Sequence, residues 1–342
     1  MAKVPHILLI YTGGTIGMTQ DFKTGVLKPF NFDKLLVQIP ELKHLNCTID
    51  SVSFKEIIDS SNMNPNYWVE ITEIIEKNYQ KFDGFVVLHG SDTMSYTASA
   101  ISFMFENLSK PVIFTGSQLP IGYLRTDAKE NLITSIEIAA AQENGKPVVT
   151  EVCLYFEYKL YRANRTTKIN SEHFNAFTSP NYPALAESGV HLKFNETMLL
   201  KSKRFKKIRV RKKLENNIVL LKLFPGITEK TIRSILEIDG LKGVILETFG
   251  SGNAPTDKWF IKLLKETLKR GIKIVDVTQC VEGSVLLGHY ETSEHLQKMG
   301  LISGKDITTE SALAKMMYLL GQKISDTEFK EIFETPLRGE MA

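Results

Sequence analysis

Residues Ile7-Leu8-Leu9-Ile10-Tyr11 run directly into Thr12-Gly13-Gly14-Thr15-Ile16-Gly17, and this stretch decides the fold. An apolar run without alternation reads as a strand buried on both faces of a parallel sheet. The glycines after it let the backbone turn sharply and approach a ligand closely. Open α/β sheets bind ligands beyond the carboxyl ends of their strands. Thr12 and Thr15 therefore fall at the expected rim of a site, within the first fifteen residues. The turn lacks the glycine spacing of the dinucleotide fingerprint, and no phosphate-loop lysine follows it.

Working outward, apolar runs alternate with helical patterns. Asn64 and Pro65 open a helix as cap and first-turn proline. Phe85-Val86-Val87-Leu88 is a strand, Tyr96 to Phe105 a helix, and Pro111-Val112-Ile113-Phe114 a strand. A helix from about Ala128 to Ala141 and a strand from Val148 to Tyr155 follow. The pattern restarts with Ile218 to Leu221, a helix Glu229 to Ile238, Val244 to Leu246, a helix Asp257 to Arg270, and Ile272 to Val275. Such alternation specifies an α/β fold, two doubly wound domains with mainly parallel sheets. The expected division is 1–200, a linker 201–217, and 218–342. The basic run Lys201 to Lys213 falls at that division. It is read as a solvated edge or linker rather than a phosphate stripe, because no aromatic platform interleaves it.

Composition narrows the function classes. The chain has 342 residues and a net charge of +3, too small to imply a nucleic-acid or membrane partner. No run approaches the ~20 apolar residues of a transmembrane helix, and no signal peptide is read at the start. Cys47, Cys153 and Cys280 are far apart and fit neither a disulfide framework nor a zinc site. The expected compartment is a reducing cytoplasm.

The chemistry collects at strand exits. His89-Gly90-Ser91-Asp92-Thr93-Met94 leaves the second apolar strand, Thr115-Gly116-Ser117-Gln118 another, and Asp59-Ser60-Ser61-Asn62-Met63 follows Ile57-Ile58. Hydroxyls with a carboxylate but little free histidine point to hydroxyl nucleophile chemistry whose base is a lysine. Lys168, in Arg162-Ala163-Asn164-Arg165-Thr166-Thr167-Lys168, is the candidate. His89 is read either as catalytic or as packed beside the strand end. The polar segment Met18 to Pro29 reads as a lid over the Thr15 turn or as an exposed hairpin.

Taken in order, these segments resemble the bacterial-type L-asparaginases, particularly the cytoplasmic type I branch. The first turn and the His89–Met94 cluster resemble the two family signatures. Phe249-Gly250-Ser251-Gly252-Asn253-Ala254-Pro255, Thr278-Gln279-Cys280 and Leu337-Arg338-Gly339-Glu340 also fit, so the resemblance covers nearly the whole chain. It implies a larger N-terminal and a smaller C-terminal domain. The implied chemistry is hydrolysis of L-asparagine to L-aspartate and ammonia, in asparagine catabolism, through an acyl-enzyme on threonine. It implies no cofactor, no metal, and a homo-oligomer, dimer or tetramer, with sites at an intimate dimer contact.

By position, Thr15 matches the family nucleophile, and Ser91, Asp92 and Lys168 match its relay. Ser60, Ser61 and Asp92 match groups that hold the substrate. Thr12 and Thr93 take supporting roles. Ser91 stands where the family usually has threonine, and Val26 follows Gly25 where many members carry a lid tyrosine. Tyr290, in a segment that reaches the neighbouring subunit's site in the family, is read as a replacement for that phenol. Some type I relatives bind an activating asparagine with an arginine where this chain has Glu247, so near-hyperbolic kinetics are expected. An amidotransferase subunit acting with tRNA, or a silent asparagine-binding module, are the competing readings. The family's amidotransferase relatives carry an extra N-terminal domain ahead of the threonine, and a silent module would be expected to have lost Thr15 or Lys168.

Overall fold

The computed structural model describes residues 3–20, 27–29, 39–201, 206–288 and 291–342. The tip of the Met18–Pro29 segment, Tyr290 and part of the basic run lie outside the described residues. The ends of that segment, Met18–Gln20 and Leu27–Pro29, pair as antiparallel strands. The chain divides into two compact units between Lys212 and Lys213.

The first unit is built on a sheet whose strands are β1 (His6–Gly13), β2 (Thr48–Ile58), β3 (Gly84–Leu88), β4 (Val112–Thr115), β5 (Val152–Phe156), β6 (Lys159–Arg162), β7 (Ala186–Ser188) and β8 (Leu192–Phe194). Their spatial order is β8-β7-β6-β5-β4-β3-β1-β2. From β2 to β5 the strands are parallel, and from β5 to β8 they are antiparallel. β1 buries both faces, with Ile7, Leu8, Leu9 and Ile10 all withdrawn from solvent. This is the environment an uninterrupted apolar strand requires. The antiparallel half was not apparent in the sequence, because its strands are only three or four residues long and mix apolar with charged side chains.

Helices α1 (Pro65–Asn78), α2 (Met94–Met104) and α3 (Ala128–Ala140) connect the parallel strands. Asn64 caps α1 through its side-chain oxygen, which accepts from the Asn66 N–H at 3.0 Å, and Pro65 occupies the first turn. One expectation is corrected. The run from Val148 enters the sheet only at Val152. Ahead of it, Lys146–Pro147 folds back on Gln142–Glu143. The Thr150 hydroxyl then donates to the Leu200 carbonyl, and Glu151 pairs with Arg162 at 2.6 Å.

The second unit carries a four-stranded sheet of β9 (Ile218–Lys222), β10 (Gly243–Thr248), β11 (Lys273–Thr278) and β12 (Ile302–Ser303), parallel and in sequence order. Its helices are α4 (Glu229–Leu236), α5 (Lys258–Lys269), α6 (Glu291–Met299), α7 (Thr309–Leu320) and α8 (Asp326–Phe333). α4 turns Ile232 and Leu236 inward, while Arg233 pairs outside with Glu229 and Glu237. No helix among the described residues is long and apolar enough to cross a membrane.

Candidate active site

Register aligns the strand exits of the first unit. Tyr11 lies opposite Leu88, and Leu88 opposite Thr115, so these three close one row across β1, β3 and β4. The residues that follow them leave the sheet at one end. β2 joins through a register shift between Tyr11 and Gly13, which sets Ile58 opposite Gly13 and delivers Ser60 to the same end. Strand order reverses at β1, with β2 on one side and β3 on the other. That reversal is where open α/β sheets form a crevice.

Two glycines allow the exits to touch. Gly14 has φ +89°, and a Cβ there would lie 2.5 Å from the Gly90 nitrogen and 2.6 Å from its Cα. A Cβ on Gly90 would lie 2.7 Å from the Ser60 Cβ. All three distances are below any ordinary van der Waals contact, so only glycine permits the approach. It brings the Thr15 turn, Ser60 and the Ser91–Asp92 turn into contact. Thr12 pins β1 to β3 by donating its hydroxyl to the Leu88 carbonyl at 3.0 Å, and Thr93 donates to the Ser60 carbonyl at 2.7 Å.

Lys168 arrives from the far side of the sheet. After β6 the chain makes a short turn, Ala163–Arg165, held against α2 by hydroxyl contacts. Asn164 donates to Ser102 at 3.1 Å, and Thr166 to Ser95 at 3.1 Å. Ser95 and Ser102 are seven residues apart and so share one helix face. α2 begins where the Ser91–Thr93 turn ends, so this face fixes Lys168 relative to Ser91. Thr167–Lys168 then pairs with Phe177–Thr178. The Lys168 ammonium donates to the Ser91 hydroxyl at 2.8 Å and to Asp92 Oδ1 at 2.7 Å. Lys168 is 18% exposed and Asp92 65%, so the pair opens to solvent on its carboxylate side.

Thr15 heads its own short turn, Thr15–Gly17, and is partly exposed. Ser60 is buried at the start of Ser60–Asn62. Ser61 is exposed, and both its N–H and its hydroxyl donate to Asp59 at 2.8 Å, which holds the Asp59 carboxyl below the usual range. The structure thus assembles Thr15, Ser60, Ser91, Asp92 and Lys168 at one end of the sheet. It turns the Ser61 hydroxyl toward the Asp59 carboxylate.

His89 is wholly buried, and burial lowers its imidazole to about 4. Neutral, it donates from Nδ1 to the Gly90 carbonyl at 2.7 Å, and its Nε2 has no partner among the described residues. Its part is to brace the strand exit. Gln118 was legible only as part of the third exit. Its amide oxygen accepts from the Ser91 hydroxyl at 3.3 Å. Among the described residues, no three His, Cys, Asp or Glu side chains converge on a metal position.

A hydroxyl held between an amine and an amide, beside a second hydroxyl on a glycine-flanked turn, is an arrangement suited to amide or ester cleavage by a hydroxyl nucleophile. The fold and site define a hydrolytic centre of the hydroxyl–lysine kind at the strand exits of an open α/β sheet. The chain belongs to the asparaginase family: the description Asparaginase, N-terminal, matches residues 6–200, and Glutaminase/Asparaginase C-terminal domain matches 217–333. It is 39% identical over 336 residues to L-asparaginase 1 of Escherichia coli (strain K12), covering 98% of this chain and 97% of that protein. It is 38% identical over 365 residues to the 60 kDa lysophospholipase of Mus musculus, covering all of this chain but 63% of that protein. The crystal structure of L-asparaginase I from Vibrio cholerae superposes with a TM-score of 0.90 at 40% identity, covering 99% of each chain.

Proposed function

We propose that the protein is an L-asparaginase that hydrolyses L-asparagine to L-aspartate and ammonia, with Thr15 as nucleophile. The observation that carries this reading is the Lys168 ammonium shared by the Ser91 hydroxyl and Asp92, on the turn that Gly90 presses against Gly14. Full-length similarity to L-asparaginase 1 supports the substrate.

A threonine hydroxyl needs a base at neutral pH. Lys168 in its neutral form takes the Thr15 proton through Ser91, as the Thr15 oxygen attacks the side-chain amide carbon. Backbone N–H groups at the glycine-rich exits stabilise the oxyanion, each worth roughly 10²–10³ in rate. The tetrahedral intermediate collapses with cleavage of the C–N bond, and the relay returns a proton to the departing ammonia. Water then attacks the β-aspartyl ester on Thr15 and releases aspartate. Asp92 meets the substrate's α-ammonium, and Ser60 its α-carboxylate. No cofactor enters these steps.

The resemblance further supports a cytoplasmic homo-oligomer in asparagine catabolism, with the Tyr290 segment contributed to a neighbouring site. The decisive experiment assays ammonia and aspartate from L-asparagine with the purified chain alone. Equimolar release without tRNA or another subunit is the expected result. No release, or release only with tRNA present, overturns the reading, and so does turnover confined to lysophospholipid.

A further inference from the structure

Ser91 has one proton and must place it. In the resting state Lys168 donates as an ammonium, so toward it the hydroxyl acts as acceptor. The Ser91 proton goes instead to the Gln118 amide oxygen at 3.3 Å. The orientation of that amide is not free. Its Nε2 donates to the His173 carbonyl at 3.0 Å, so the oxygen must face Ser91. A flipped amide would set oxygen against oxygen at His173.

The loop beneath the amide is held as firmly. The Gln118 N–H donates to Asp127 Oδ2 at 2.9 Å and the Leu119 N–H to Asp127 Oδ1 at 3.1 Å. Asn131 donates to the Gly116 carbonyl at 3.0 Å and to Asp127 Oδ2 at 3.3 Å. Asp127 and Asn131 are both buried and stand at the start of α3. Neither touches Ser91 or Lys168, so their effect on the site passes through Gln118.

We propose that Gln118 is a positioning residue for the relay: its amide oxygen takes the Ser91 hydroxyl proton in the resting state and fixes the serine rotamer. A serine Cβ offers three staggered positions to its oxygen, whereas the methyl of threonine restricts them. Gln118 supplies by hydrogen bonding the restraint that a methyl would supply by packing. With one lone pair facing Lys168 and the hydrogen facing Gln118, the oxygen is held with its other lone pair free. In turnover that lone pair receives the Thr15 proton as the hydroxyl hydrogen swings from Gln118 and passes to the unprotonated Lys168 amine. The inference rests on the asparaginase reading above.

The test is a double-mutant cycle on the full chain, assayed by ammonia release. Gln118→Leu is expected to lower kcat about three- to tenfold, the factor one net hydrogen bond contributes, with KM for asparagine nearly unchanged. In a Ser91→Thr background the same Gln118→Leu change is expected to lower kcat less than twofold, because the methyl takes over the restraint. Equal losses in the two backgrounds identify a loop defect and overturn the proposal. Unaltered kcat in Gln118→Leu overturns it as well, while leaving Thr15 as the nucleophile. If Gln118→Leu does not fold, Gln118→Asn, which keeps the amide but is one methylene too short, takes its place with the same expected ratios. An unsubstituted protein that releases no ammonia refutes the asparaginase reading, and this proposal with it.

Discussion

The two units use the same parts, parallel strands joined by helices, but their strand exits have opposite fates. In the first unit the parallel strands run β2-β1-β3-β4-β5, so the order reverses at β1 and the exits on either side of it meet at one end of the sheet. In the second, β9 to β12 follow sequence order, and no reversal opens the sheet. Its exits are just as polar. There, however, the polar groups are spent on one another. Glu247 accepts from Thr309 at 2.6 Å and pairs with Lys222, and the Gln279 amide donates to the Leu223 and Glu247 carbonyls. Asp276 is buried, bonded by Thr248 at 2.7 Å, with its Oδ2 unpartnered among the described residues. Polar residues at strand ends are therefore not sufficient for a site; a reversal of strand order beside them gives them something to face.

The largest expected effect breaks the comparison at its centre. Thr15→Ala is expected to lower kcat by several orders of magnitude and to cost no more than ~1 kcal/mol of stability, the scale of a lost turn or cap contact. Lys168→Met is also expected to abolish turnover, and the double variant to lose no more than the worse single one, because a relay fails as a unit. Steady-state kinetics with thermal denaturation check both. A folded Thr15→Ala protein with near-native kcat would remove the first unit's claim to the chemistry.

Substrate length sharpens the same site. If Ser60 and Asp92 hold the α-groups as proposed, glutamine carries its amide carbon one methylene past Thr15. Such a mismatch is worth ~1–3 kcal/mol, so kcat/KM should favour asparagine by roughly 10- to 200-fold. Comparable values for the two amides would mean that the α-groups are not clamped where the site places them.

The buried ionisable groups give the units opposite pH slopes. Burial lowers His89 to about 4, so between there and its ordinary range near 6.5 the unfolded chain binds more protons. His89 therefore makes the first unit gain stability as pH rises through that window. Asp276 is pushed up to about 7 by burial, so from about 4 to 7 the folded state binds more protons. The second unit loses stability as pH rises through it, by ~4 kcal/mol at most. Asp276→Asn is expected to raise the thermal midpoint by several degrees at pH 8 and by little at pH 4. His89→Gln is expected to be destabilising at pH 7 and progressively less so toward pH 4. Midpoint shifts independent of pH in both variants would refute the assignment of either group.

Much of this contrast was legible from the sequence, though unevenly. Uninterrupted apolar runs located β1, β3, β4 and β10 to within a residue or two, because a strand buried on both faces has no other pattern. The polar exits were legible for the same reason, standing out against the runs they end. Long-range partners were not. Gln118 reads as one more polar residue until α3 positions it, and nothing in the sequence singled out Lys315. In the structure Lys315 is fully buried, donates to the Phe333 and Thr335 carbonyls at 2.7 and 2.8 Å, and pairs with Glu340. Helical spacing alone does not reveal that a tail will return to cover that face.

The smallest expected effect concerns Glu247, the acidic residue of the second unit at the place where some type I relatives carry an arginine. An effector asparagine would present a carboxylate and an ammonium. The Glu247 carboxylate repels the first. It is also poorly placed to recruit the second, because one oxygen already accepts from Thr309 and the other faces the Lys222 ammonium at 3.2 Å. Displacing these partners would leave a mostly buried carboxylate to be paired again, so an incoming ammonium gains little over the one it replaces. Initial rates against asparagine should therefore follow a hyperbola with a Hill coefficient near one. Glu247→Ala should leave that coefficient unchanged, its cost appearing in stability through the unpaired Lys222 and Thr309. A coefficient well above one that Glu247→Ala abolishes would show that the second unit's exits do receive a ligand, and the contrast between the two sheets would fail there.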